Sequence, residues 1–91
     1  MAKIYLKKKH HLDKDHVRQK VQHLADKLSN ELSVAYRWQE DRLVFERSGA
    51  NGHIEVRKDE VEVEIQLGLL FSPLKNSIEK TVSGYLDEQL G

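Results

Sequence analysis

The chain has 91 residues, 38% hydrophobic and 33% charged, and its fifteen Lys and Arg balance its fifteen Asp and Glu. A chain of this size supports one small globular domain, burying about 60 to 65% of the surface its unfolded form exposes, and its apolar fraction is too high for disorder. With no cysteine and no apolar run longer than three residues, as at Leu69-Leu70-Phe71, the chain offers no disulfide, thiolate metal site, Cys nucleophile, secretory leader or transmembrane segment, so cytoplasmic residence is expected.

Ile4 and Leu6 alternate with Lys3, Tyr5 and Lys7, the period of a short strand with one face on a core. Lys7-Lys8-Lys9-His10-His11 interrupts that pattern and reads as a solvated connection. Asp13 is placed to cap a helix, with Leu12 and Val17 spaced as a hydrophobic staple. Val17, Val21, Leu24, Ala25, Leu28 and Leu32 then mark one face of a helix over Lys14 to Leu32. Four strands follow. Val34, Tyr36 and Trp38 share a face of the first, Gln39 to Arg42 turn the chain, and Leu43 and Phe45 face inward from the second. Ser48-Gly49-Ala50-Asn51-Gly52 supplies two glycines for a tight or bulged reversal, and Ile54 and Val56 form the inner face of the third strand. After a corner at Lys58-Asp59, Val61, Val63, Ile65 and Leu67 alternate with Glu60, Glu62, Glu64 and Gln66. A one-residue slip there would bury three carboxylates, so the register is strongly specified. Gly68 ends the strand, Ser72 is a candidate N-cap and Pro73 suits a first helical position. Leu74, Ile78, Val82, Tyr85, Leu86 and Leu90 mark the inner face of a second helix ending at Gly91. The order β-α-β-β-β-β-α predicts an α+β fold, an antiparallel sheet with both helices on one face. Its strand order is open: the first strand fits beside the last, or beside the second through a parallel crossover.

Potential chemistry is sparse. His10, His11, Asp13, Asp15 and His16 are the densest group of potential ligands, but they run from a loop into a helix start, where the aspartates complement the helix dipole; no metal site is assigned. The first twenty residues carry seven positive charges against two negative. That excess suits phosphate, an anionic headgroup or an acidic partner, without the interleaved aromatics of nucleic-acid modules. Glu55, Asp59, Glu60, Glu62 and Glu64 form an acidic counterpart facing Arg57 and His53. Acid–base catalysis would need these carboxylates in a water-excluded cleft, which outward strand positions do not provide. The Ser48 to Gly52 segment lacks the Lys-Ser/Thr ending and the following helix of a phosphate loop. Tyr36, Trp38, Phe45, Phe71 and Tyr85 read as packing, or alternatively as the lining of an acyl pocket.

Taken in order, Trp38, Leu43, Phe45, Arg47-Ser48-Gly49, Gly52, Ile54, Leu67-Gly68-Leu69-Leu70, Leu74-Lys75 and Ile78-Glu79 resemble the polyhydroxyalkanoic acid system family of small bacterial proteins. His11-Leu12 fits as well, and the resemblance runs from Ile4 to Leu90. It implies association with polyhydroxyalkanoate storage and brings no catalytic residue or cofactor. The expected function is a non-catalytic accessory protein that binds a granule surface, a granule protein or a synthase through Lys7, Lys8 and Lys9 or through Leu69, Leu70 and Phe71. The alternative is a small carrier holding an acyl or hydroxyacyl group between sheet and helices; an enzyme acting on hydroxyalkanoyl thioesters ranks last. Arg47, Ser48, Gly49 and Gly52 are expected to be structural residues of the turn. No nucleic-acid partner is expected, a homodimer is left open, and the site of action would be the cytoplasm at the granule surface.

Overall fold

The computed structural model describes residues 2–90; the expected end of the second helix at Gly91 lies outside the described residues. Five strands, β1 (Ala2–Lys9), β2 (Ala35–Gln39), β3 (Arg42–Arg47), β4 (Ala50–Val56) and β5 (Glu60–Leu67), and two helices, α1 (Lys14–Leu32) and α2 (Lys75–Leu90), follow the expected order. The strands form one sheet, β1-β5-β4-β3-β2, with every neighbouring pair antiparallel. The first strand therefore lies beside the last. This places the two chain-end elements together, because α2 packs over β1 while α1 crosses β4.

Alternation sorts the side chains. Ile4, Leu43, Ile54, Val63 and Leu67 are buried between sheet and helices, where they meet Val17, Leu24 and Leu28 of α1 and Ile78, Val82 and Leu86 of α2. Asp13 caps α1 as anticipated, its Oδ1 accepting the His16 N–H at 2.9 Å. Ser33 ends α1 in the left-handed region at φ 55°.

Four local expectations are corrected. Lys7, Lys8 and Lys9 are not a connecting loop: β1 continues through them, opposite Glu62, Val61 and Glu60 of β5. The β5 backbone supplies the missing partners, so polar side chains extend the strand where apolar periodicity has already ended. His10 is not solvated but 2% exposed. Its N–H donates to Asp59 O at 2.9 Å, its Nδ1 accepts the Leu12 N–H at 3.2 Å, and its Nε2 donates to Arg57 O at 3.1 Å. This ring pins the start of α1 to the β4–β5 corner. The third correction concerns the reversal after β3, which uses only Ser48 and Gly49. Arg47 pairs with Ala50, and Gly49 takes φ 88°, a conformation that L side chains rarely adopt. Gly52 is therefore a strand residue, not a turn residue. A Cβ on Gly52 would lie 2.2 Å from Glu64 O, so its lack of a side chain permits close approach to β5. Finally, Ser72 does not cap α2. A 3₁₀ turn, Ser72–Leu74, precedes the helix with no side-chain cap. Gly68 O already accepts the N–H groups of both Phe71 and Ser72, which tightens the chain before Pro73 can start an α-helical turn. Leu74 in consequence points outward, 43% exposed.

Candidate functional surface

Because both helices cover one face of the sheet, the other is open, and its charges lie in columns. Lys3, Tyr5, Lys7 and Lys9 of β1 run beside Gln66, Glu64, Glu62 and Glu60 of β5. The basic and acidic stretches are thus neighbours in space. Lys3 Nζ stands 2.7 Å from Glu64 Oε1 and Lys7 Nζ 3.9 Å from Glu62 Oε2. Tyr5 donates to Glu62 at 2.6 Å. Lys8, on the inner face at the sheet end, reaches Asp87 of α2 at 3.1 Å. Lys14 and Arg18 both engage Asp41 in the β2–β3 turn, at 2.8 and 3.0 Å. Much of the basic excess of the first twenty residues is thus spent inside the molecule.

His53, Glu55 and Glu62 bring possible metal-ligating atoms within 4.8 Å of one another. Arginine already occupies the carboxylates: Arg42 Nη2 lies 2.5 Å from Glu55 Oε1, and Arg57 Nη2 lies 3.1 Å from Glu55 Oε2 and 3.3 Å from Glu62 Oε1. The triad is a salt-bridge network, in which a dication would have to displace two guanidinium groups. The His and Asp group of the N-terminal segment is also dispersed, with His10 buried under the corner and Asp13 paired to His16.

These contacts shift the carboxylates in one direction. Glu62 is lowered by the Tyr5 hydrogen bond and by Arg57, Glu64 by Lys3, Glu55 by Arg42, Asp41 by Lys14 and Asp13 by the His16 N–H. Carboxyls with a folded pKa below the unfolded value stabilise the fold above about pH 4, and that contribution is lost as pH falls through the lowered folded values. The expected melting temperature declines as pH falls from about 4.5 to 3, less steeply in about 0.5 M NaCl. Calorimetry across that range checks this, and a protein more stable at pH 3 than at pH 7 contradicts it.

At the far end of the sheet, Arg47 organises three segments. Its Nη1 donates to Leu32 O at the end of α1 at 2.6 Å, and its guanidinium stacks 4.9 Å from the Phe71 ring centre. Its partners are thus a carbonyl and an aromatic face outside the turn to which sequence assigns it. Phe71 in turn covers Gly49, and Gly68 N–H donates to Gly49 O at 2.7 Å. Phe71 is thus partly buried, whereas its neighbours Leu69 and Leu70 are 82% and 77% exposed. Arg47→Ala should cost about 1 kcal/mol, or roughly 4–8 °C in melting temperature. An unchanged melting temperature together with lost partner binding would make Arg47 a contact residue instead.

A family model described as "Putative polyhydroxyalkanoic acid system protein" matches residues 4–90 of the 91-residue chain. The chain belongs to that family. No curated protein and no solved structure matches it.

In this polyhydroxyalkanoic acid system protein the interior offers little room. The void between α1 and the sheet, lined by Leu28, Val34, Phe45 and Ile65 among others, measures about 10 Å³. That is space for about one water, against about 300 Å³ or more for an ordinary small-molecule pocket. The larger hollows are shallow and open to solvent, one over Arg42, Val44, Asn51 and His53 of the bare sheet face and another beside Trp38. Trp38 and Tyr36 are not simply core residues. The Trp38 Nε1–H donates to Gln22 Oε1 at 2.8 Å, Arg18 stacks 4.2 Å above the indole, and Tyr36 O–H donates to Asp26. This latch between α1 and the edge strand β2 was missed in the sequence. Its signal was there, since Arg18, Gln22 and Asp26 recur at helical spacing on the flank of the apolar stripe.

Proposed function

We propose that this polyhydroxyalkanoic acid system protein is a non-catalytic accessory protein that works in the cytoplasm by binding at the storage granule, to its surface, to one of its proteins or to the synthase. The observation that carries this reading is the family match across residues 4–90. A binding role is favoured over catalysis because the ionisable clusters lie on an open sheet face and are tied into salt bridges, where no water-excluded cleft tunes a proton donor against an acceptor. A role as acyl carrier is disfavoured by the 10 Å³ interior void. Among the described residues no helix is long and apolar enough to cross a membrane, so attachment would be through surface contacts. Of the two expected contact segments, Leu69 and Leu70 are free to act, while Phe71 is held by Arg47 and the β1 lysines lie among carboxylates.

The test is co-sedimentation with native granules from cells accumulating the polymer, together with an affinity pull-down from the same lysate. Enrichment with granules, or recovery of a granule protein or synthase, is the expected result. A protein left wholly in the soluble fraction with no partner recovered would overturn it.

A further inference from the structure

Leu69, Leu70 and Leu74 form an apolar knuckle where the chain passes from β5 to α2, and two of the three are more than three-quarters exposed. Single exposed leucines are ordinary on protein surfaces, whereas a projecting cluster is a mark of contact. The knuckle is built rigidly. Gly68 O accepts the N–H groups of Phe71 and Ser72 at 3.1 and 2.9 Å, and Leu74 N–H donates to Phe71 O at 2.9 Å. Phe71 is clamped between Gly49 and the Arg47 guanidinium. Leu69 and Leu70 therefore stand out from an ordered backbone, so little conformational freedom is lost when they are covered.

Charge indicates what covers them. In a chain one-third charged, the ten residues from Ile65 to Leu74 contain no Asp, Glu, Lys or Arg, and no other charge-free stretch is as long. An anionic headgroup would be met by free cations, but Lys3, Lys7 and Lys8 of β1 pair with Glu64, Glu62 and Asp87, Lys75 beside the knuckle pairs with Glu79, and the Arg47 guanidinium is engaged by Leu32 O and the Phe71 ring. Leu69 and Leu70, 82% and 77% exposed, also project from the turn. A projecting apolar turn suits a broad uncharged surface that yields to it, while a folded protein would have to present a matching groove. Resting on the granule reading above, we infer that Leu69 and Leu70, backed by Leu74, seat directly on the uncharged aliphatic polyester of the granule.

The experiment uses the full chain and three particles: polyhydroxyalkanoate particles washed free of protein and lipid, vesicles of phosphatidylcholine with phosphatidylglycerol, and native granules. The wild type should bind the washed particles, with binding undiminished in about 0.5 M NaCl because no ion pair is involved. Leu69→Ser/Leu70→Ser should bind them at least about tenfold more weakly, since covering one exposed leucine is worth about that factor. Circular dichroism and melting establish that the variant is folded, and Leu69→Gln alone gives a smaller loss in the same direction. Equal binding by variant and wild type overturns the inference, as does preference for vesicles, or a dimer that the double substitution dissolves. Binding to native granules without binding to washed particles removes the polyester contact and leaves the granule reading standing. Binding to neither removes the polyester contact, and removes the granule reading as well when the pull-down recovers no granule protein or synthase.

Discussion

Gly52→Ala is expected to be the most damaging single-methyl addition in the protein, lowering stability by about 3 kcal/mol or more. Gly52 sits within β4, paired with Phe45 of β3 and Ile65 of β5. An added Cβ would fall 2.2 Å from Glu64 O and 2.8 Å from Ile65 Cα. Both obstacles are backbone atoms of the adjoining strand, so no side-chain rotation relieves them; β4 and β5 must separate, and their ladder holds the centre of the sheet. A small domain has about 5–15 kcal/mol in hand, and each kcal/mol is worth roughly 4–8 °C. Thermal unfolding should therefore shift down by at least about 12 °C. Gly84→Ala is the control: nothing lies within 4 Å of a Cβ there, and alanine favours the helix. If Gly52→Ala melts with the wild type, the strands are not closely apposed at that point.

Leu24→Ala is the second large effect, at about 3 kcal/mol, and it is most informative beside Leu69→Ala. Leu24 lies mid-way along α1 with no exposed surface, in the layer packed over β4. Truncation removes its buried methyl groups and leaves a cavity that a tightly filled interior closes only partly. Leu69 is the same residue type, 82% exposed, and its truncation should change stability by no more than about 0.5 kcal/mol. Chemical denaturation of both variants measures the contrast. Leu69→Ala should nevertheless weaken attachment to polymer particles, separating the leucine that holds the fold from the one that meets the granule. A large destabilisation by Leu69→Ala would mean that the knuckle is packed.

The elements legible in the amino-acid order were those whose signal is local. Apolar spacing from Val17 to Leu32 and the cap at Asp13 located α1 and its inward face. The alternation from Val61 to Leu67 placed β5 and its inward face. From these periods alone followed the element order, the antiparallel sheet and the single helical layer. The local signal failed where a distant partner supplied the stabilisation. Lys7 to Lys9 look like a solvated linker until Glu60 to Glu62 stand opposite them, and His10 looks polar until Arg57 O, Asp59 O and the Leu12 N–H surround it. The glycine at position 52 looked like part of a turn because glycine suits both a left-handed bend and a close strand approach, and only the neighbour across the ladder distinguishes them.

The candidate surface divides in the same way. Leu69, Leu70 and the basic and acidic stretches could be picked out by composition, and the family could be recognised from its ordered motifs. Composition could not tell which of them remain available, because that depends on pairing between residues far apart in the chain, such as Tyr5 with Glu62 and Lys8 with Asp87. A period of two or of 3.6 residues is imposed by the backbone within a segment and can be read along it. The order β1-β5-β4-β3-β2, which lays the lysine strand against the glutamate strand and leaves the leucine knuckle free, follows from how buried faces and charges fit together once the segments meet.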